Sequence, residues 1–154
     1  MPAETDRIER DVLIAAPVER VWELITSPEH VGRWFGDAGA EIDLRPGGAL
    51  SLSWREHGTF YGRVEAVEPP HRFAYRWLST IGSRAEPTPG NSTLTEFTLA
   101  AEGEATRVAV VESGFDTLDG DPAERTAALA SHAKGWAAEL DELGAYALGV
   151  TAGR

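Results

Sequence analysis

The chain has 154 residues, a mass of 16.6 kDa and no cysteine, with 42% hydrophobic and 25% charged residues. This predicts one globular domain with its own core and excludes disulfides, thiol catalysis and zinc–thiolate sites. Fourteen basic against 25 acidic residues leave a formal charge of −11, so nucleic acid, with its anionic backbone, is not an expected partner.

Alternation opens the chain. Ile8, Val12 and Ile14 share one face of an extended segment, opposite Glu9 and Asp11. Pro17 then starts a short helix with the stripe Val18, Val21, Trp22 and Ile25. Ser27 caps a second one that begins at Pro28 and carries Val31, Trp34 and Phe35. From about residue 38 the period becomes two. Leu50, Leu52 and Trp54 alternate with serine and arginine, and Glu56-His57-Gly58 turns the chain into a strand over 59–67. After Pro69-Pro70, Phe73, Tyr75 and Trp77 alternate in turn. Residues 82–92 form a loop, and 93–99 and 106–113 are two strands joined by Glu102-Gly103-Glu104. These five hairpin-like segments predict a mostly antiparallel sheet.

One long helix closes the chain. Asp121, Pro122 and Glu124 have the spacing of a capping box, and Leu129, Ala133, Trp136, Leu140, Leu143 and Ala147 recur at helical spacing. To Leu148 it would run roughly 40 Å. The order β, α, α, a run of strands and one long α reads as an α+β domain over residues 1–154, core about 7–148. The amphipathic helix must bury its stripe on the concave face of a curved sheet, which leaves room for a cavity. No stretch approaches 18 consecutive apolar residues and residues 1–11 are charged. No membrane insertion and no secretory signal are expected, and the reading is a cytoplasmic protein.

Several motifs in this order resemble one family. They are Ala16-Pro17-Val18-Glu19-Arg20-Val21-Trp22, Ser27-Pro28-Glu29-His30-Val31-Gly32-Arg33-Trp34-Phe35, Leu44-Arg45-Pro46-Gly47-Gly48, Glu68-Pro69-Pro70-His71-Arg72-Phe73, Thr106-Arg107-Val108 through Gly114-Phe115, and His132 to Trp136. The pattern is similar to the SRPBCC (START/Bet v 1-like) superfamily, and within it to the branch of the activator of Hsp90 ATPase homologue 1. The resemblance implies a helix-grip fold: a curved antiparallel sheet wrapped around the long C-terminal helix, two short helices after strand 1, and an internal cavity. It implies function more loosely, since lipid and hydrophobic-ligand carriers and polyketide cyclases share the fold.

Candidate site residues follow from parity. Trp34, Trp54, Trp77 and Trp136, joined by Phe35, Tyr75 and Phe97, fall on inward faces of several elements, enough rings to line a pocket for an apolar or aromatic ligand. Trp22 reads as plain core. Val108 and Val110 carry Glu112 inward with them, and His132 lies one helical turn before Trp136. In the fold implied by the resemblance that strand and that helix approach each other, so Glu112 and His132 are expected to meet in the cavity. There they would orient a ligand or serve as acid and base. His30, His57 and His71 read as surface histidines. No HExxH motif, calcium loop, GxSxG elbow or phosphate loop is present in the sequence, so neither metal nor cofactor is expected.

The expected function is binding of a small hydrophobic or aromatic molecule. The alternatives are a cyclase- or hydrolase-like enzyme using Glu112 and His132, or a chaperone-associated interaction module. The loops 82–92 and 114–121 are the expected gates to the cavity. An exposed sheet edge also makes a homodimer an option.

Overall fold

The structure, a computed structural model, describes residues 7–35, 38–56, 58–80 and 82–152; His57 lies outside them. Strand β1 (Arg7–Ile14) is followed by helices α1 (Val18–Thr26) and α2 (Pro28–Trp34). Six strands come next: β2 (Ala40–Ile42), β3 (Ala49–Trp54), β4 (Gly58–Glu68), β5 (Arg72–Leu78), β6 (Ser92–Glu102) and β7 (Ala105–Ser113). A 3-10 turn (Phe115–Thr117) then leads into helix α3 (Pro122–Ala152). The strands form one antiparallel sheet in the order β1-β7-β6-β5-β4-β3-β2. The hairpin succession expected from alternation is therefore the real topology, closed at one edge by the return of β7 to β1.

Local chemistry sets the elements. Pro17 is the cap of α1 rather than its first residue, and Ser27 ends α1 through its backbone N–H to Glu23 while standing at the cap of α2. At α3 the capping box is complete. The Asp121 N–H donates to Glu124 Oε1 and the Glu124 N–H to Asp121 Oδ1, both at 2.8 Å, so two otherwise orphaned donors are satisfied. β7 alternates without exception, burying Thr106, Val108, Val110 and Glu112.

β4 does not keep one parity. A bulge between Val64 and Ala66 shifts its register against β5, so Phe60 and Val64 face inward before it and Val67 after it. Gly62 pairs with Trp77, where an added Cβ would collide with the Arg76 carbonyl and the Trp77 Cα. Glycine is what lets the two backbones approach there.

The helix-grip arrangement places the core between the concave sheet and α3, with α1 and α2 closing one side. Trp136, Leu140, Leu143 and Ala147 are the buried positions of α3. His30 is not a free surface histidine, since its Nδ1 lies 2.7 Å from the Tyr146 hydroxyl and ties α2 to α3.

Candidate functional site

Among the described residues Glu112 is the one buried carboxylate, with no exposed surface. Burial of a charge is tolerated only when its acceptor sites are filled, and here they are. Oε2 accepts from Trp77 Nε1 at 3.0 Å and from the Thr93 hydroxyl at 2.5 Å, and Oε1 accepts from Trp136 Nε1 at 2.8 Å. His132 Nδ1 lies 3.0 and 2.9 Å from the two oxygens. Four elements therefore converge on one carboxylate: β5 through Trp77, β6 through Thr93, β7 through Glu112 itself and α3 through His132 and Trp136.

A carboxylate has no hydrogen to give, so Nδ1 is the donor and the imidazole tautomer is fixed. Burial pushes the Glu112 carboxyl up. The hydrogen bond and charge of His132, with the Thr93 and Trp136 donors, more than offset this and hold it below its ordinary range. Burial likewise pushes His132 down, and the bond and charge of Glu112 outweigh it, leaving the imidazole above its ordinary range. The T-shaped ring contacts of His132 with Trp77 and Phe115, at 5.9 and 5.4 Å, fix the ring plane.

Beside this hub lies a pocket of about 660 Å³. Phe35, Trp54, Phe60, Trp77 and Trp136 form its aromatic wall, and its polar lining includes His132, Lys134 and Glu139. Phe35 organises the rings. It stacks on Trp34 and Trp136 with centroids 5.2 and 5.1 Å away, meets Trp54 edge-on at 5.3 Å and leans on Trp77 at 5.8 Å.

The residues singled out in the sequence divide into three groups. Phe35, Trp54, Trp77, His132 and Trp136 line the pocket. Glu112 stands behind the wall, holding three of its residues in place. Trp34, Tyr75 and Phe97 share the inward face but lie deeper, around a residual space of only about 10 Å³, and Trp34 spends its N–H on the Leu24 carbonyl at 2.7 Å. Phe60 was not among the candidates. Its parity with Val64 was the available signal, and the bulge that follows obscured it.

The two loops expected as gates are tied down by their own contacts. Arg84 packs on the Tyr61 ring at 4.2 Å and Arg63 pairs with Glu86, which fastens the first loop across β4. The Asp119 N–H and the Thr117 hydroxyl donate to the carbonyls of Gly90 and Pro89, binding the loops to each other. None of their described residues lines the pocket. Among the described residues no group of three or more His, Cys, Asp or Glu is placed to hold a metal ion, and no helix is long and apolar enough to cross a membrane.

The family model described as activator of Hsp90 ATPase homolog 1-like protein matches residues 15–147. Similar solved structures include DynU16, a putative protein in the dynemicin biosynthetic locus, at 27% identity and a TM-score of 0.70. That match covers 92% of this chain but 46% of DynU16, so this chain spans about half of it. CalU16 from Micromonospora echinospora is similar at 26% identity and TM-score 0.68, covering 92% of this chain and 75% of that one. MLL2253 from Mesorhizobium loti, at 21% identity and TM-score 0.74 over 91% and 95% of the two chains, shares the fold. None of the curated proteins matches the chain.

Proposed function

The chain belongs to the activator of Hsp90 ATPase homolog 1-like family, and we propose that it binds a small hydrophobic or aromatic molecule in the pocket between α3 and the sheet. The observation that carries this reading is the five-ring aromatic wall around about 660 Å³ of open space. Hydrocarbon and aromatic faces gain by leaving water, at roughly 25 cal/mol per Å². A pocket walled by rings with a few polar groups suits a flat apolar ligand bearing one or two of its own. A ligand of about 20 heavy atoms, at roughly 0.3 kcal/mol each, would bind with a Kd on the order of tens of micromolar. The similarity to DynU16, a putative protein in the dynemicin biosynthetic locus, agrees with a small-molecule ligand.

The enzyme reading is favoured by one feature, the carboxylate-oriented histidine. With Nδ1 committed to Glu112, Nε2 is the ring nitrogen left for a ligand, an acceptor when neutral and a donor when charged. Glu112, filled by four donors, has no capacity left for proton transfer and acts as a positioning residue. His132 would then be the acid or base.

Trp54, Trp77 and Trp136 line the pocket, so native mass spectrometry of the purified protein, joined to tryptophan quenching by 2-methylnaphthalene, tests the proposal. A one-to-one adduct of a few hundred daltons, or saturable quenching that weakens in Trp54→Ala, is the expected result. A bare protein mass with no saturable quenching overturns it. Turnover that vanishes in His132→Ala while binding persists would select the enzyme reading.

A further inference from the structure

Phe35 is the one residue common to the linings of the open pocket and of the small inner space, so its ring is the partition between them. Behind it lie two polar atoms that the core does not satisfy. Tyr75 and Thr95 are directly paired across β5 and β6, with 2% and no exposure. The Thr95 side chain lies close enough to act on the Tyr75 phenol, but the contact falls outside hydrogen-bond geometry, and neither oxygen has another partner among the described residues. Leaving such groups unpaired costs about 1–3 kcal/mol each. Phenylalanine and valine would fill the same volumes without that cost, so the two oxygens mark a place where stability is given up.

Their surroundings say which way they face. Tyr75 forms part of the wall of the inner space. Burial first, then the charge of Glu112, hold its phenol well above the ordinary range; the Thr95 side chain opposes them, and the charge of Glu139 adds least. Thr95 is also flanked on β7 by Glu112.

We infer that the open pocket extends behind Phe35 into an inner subsite, where Tyr75 and Thr95 receive the hydroxyl or carbonyl at the buried end of an aromatic ligand. The inference rests on the ligand-binding reading above and deepens it. The Phe35 ring turns aside as the ligand enters and its place against Trp136 is taken by a ligand ring. Both receiving groups are hydroxyls that donate and accept, so a neutral phenol, alcohol or ketone is matched. A carboxylate, with a charge to bury next to Glu112, is not.

The test uses equilibrium dialysis of 2-naphthol and 2-methylnaphthalene, near-isosteres that differ in the polar tip, against the wild-type chain and its Tyr75→Phe and Thr95→Val variants. Both variants are expected to raise the apo melting temperature, because each removes an unpaired buried oxygen. Both are expected to raise the ratio of the naphthol Kd to the methylnaphthalene Kd about fivefold over wild type. Phe35→Leu, which shortens the partition, is expected to tighten both probes, and weakening of both overturns the partition role. An unmoved ratio with methylnaphthalene still bound overturns the inner subsite alone. Failure of the wild-type chain to bind either probe overturns the subsite and the ligand-binding reading together.

Discussion

Glu112 holds Trp77, Thr93, His132 and Trp136 through one carboxylate, so Glu112→Gln disturbs all four. The amide keeps one acceptor oxygen and turns an NH₂ toward donors. At least one indole, hydroxyl or imidazole N–H is then buried without a partner, and the expected loss in urea unfolding is about 3 kcal/mol. The pH dependence has a definite sign. The lowered pKa of Glu112 gives stability that is fully present above the ordinary value of 4.5 and lost as pH falls through the folded value. The raised pKa of His132 gives stability fully present below the ordinary 6.5 and lost as pH rises through the folded value. The difference between wild type and Glu112→Gln is therefore largest between about pH 5 and 6. Unfolding midpoints measured from about pH 4 to 8 check this, and a difference that stays flat would contradict it. Parity on a strand and spacing on a helix point both side chains inward, and the fold implied by the family resemblance brings that strand and helix together, so the pair was legible in the sequence only with that resemblance. The indole donors were not, because the direction of an N–H depends on rotamers and on the distance between elements, which one-dimensional spacing does not carry.

Among the elements, α3 has a long polar and small-residue face, and two of its three glycines stand in different places. Gly135 lines the pocket, and an added Cβ would meet nothing within 4 Å. At Gly144 it would meet Ile14 Cδ1 at 3.9 Å, an ordinary contact. Alanine at either position is expected to raise stability by about 1 kcal/mol through helix propensity, read as a rise in the urea midpoint. Gly135→Leu separates the two roles. It keeps a good helix former but fills the pocket beside Trp136, so affinity for 2-methylnaphthalene is expected to fall at least about tenfold while the fold stays intact. Gly144→Ala should leave that affinity unchanged. Equal binding by Gly135→Leu and wild type would place the ligand elsewhere. Element type was legible for the long periodic segments, and β2 escaped because three residues are too few to show alternation. Depth was not legible either. Tyr75 and Phe97 share inward parity with Trp54 and Trp77, as Trp34 shares the inward face of α2, yet the face a ring takes does not tell how deep in the core it lies.

At the scale of the whole molecule, binding and folding are one equilibrium. The pocket wall is assembled from α2, β3, β4, β5 and α3, so no part of it persists when the chain unfolds, and a ligand stabilises the native state by mass action. At a free concentration 100 times its Kd, a one-site ligand adds about 2.7 kcal/mol. In a domain of this size that is a rise in Tm of roughly 5–10 °C. Surface ion pairs such as Arg107 with Glu102 and Asp11 are screened by salt and contribute little. Raising ionic strength should therefore leave the ligand-induced shift of an uncharged probe unchanged, while the net charge of −11 weakens recruitment of anionic ones at low salt. Thermal melts at about 20 and 500 mM salt read the first effect with 2-naphthol and the second with the anionic 2-naphthoate. A shift that collapses at high salt would move binding out of the aromatic pocket and onto the charged surface. A shift that survives salt but is lost in Gly135→Leu would hold it between α3 and the sheet.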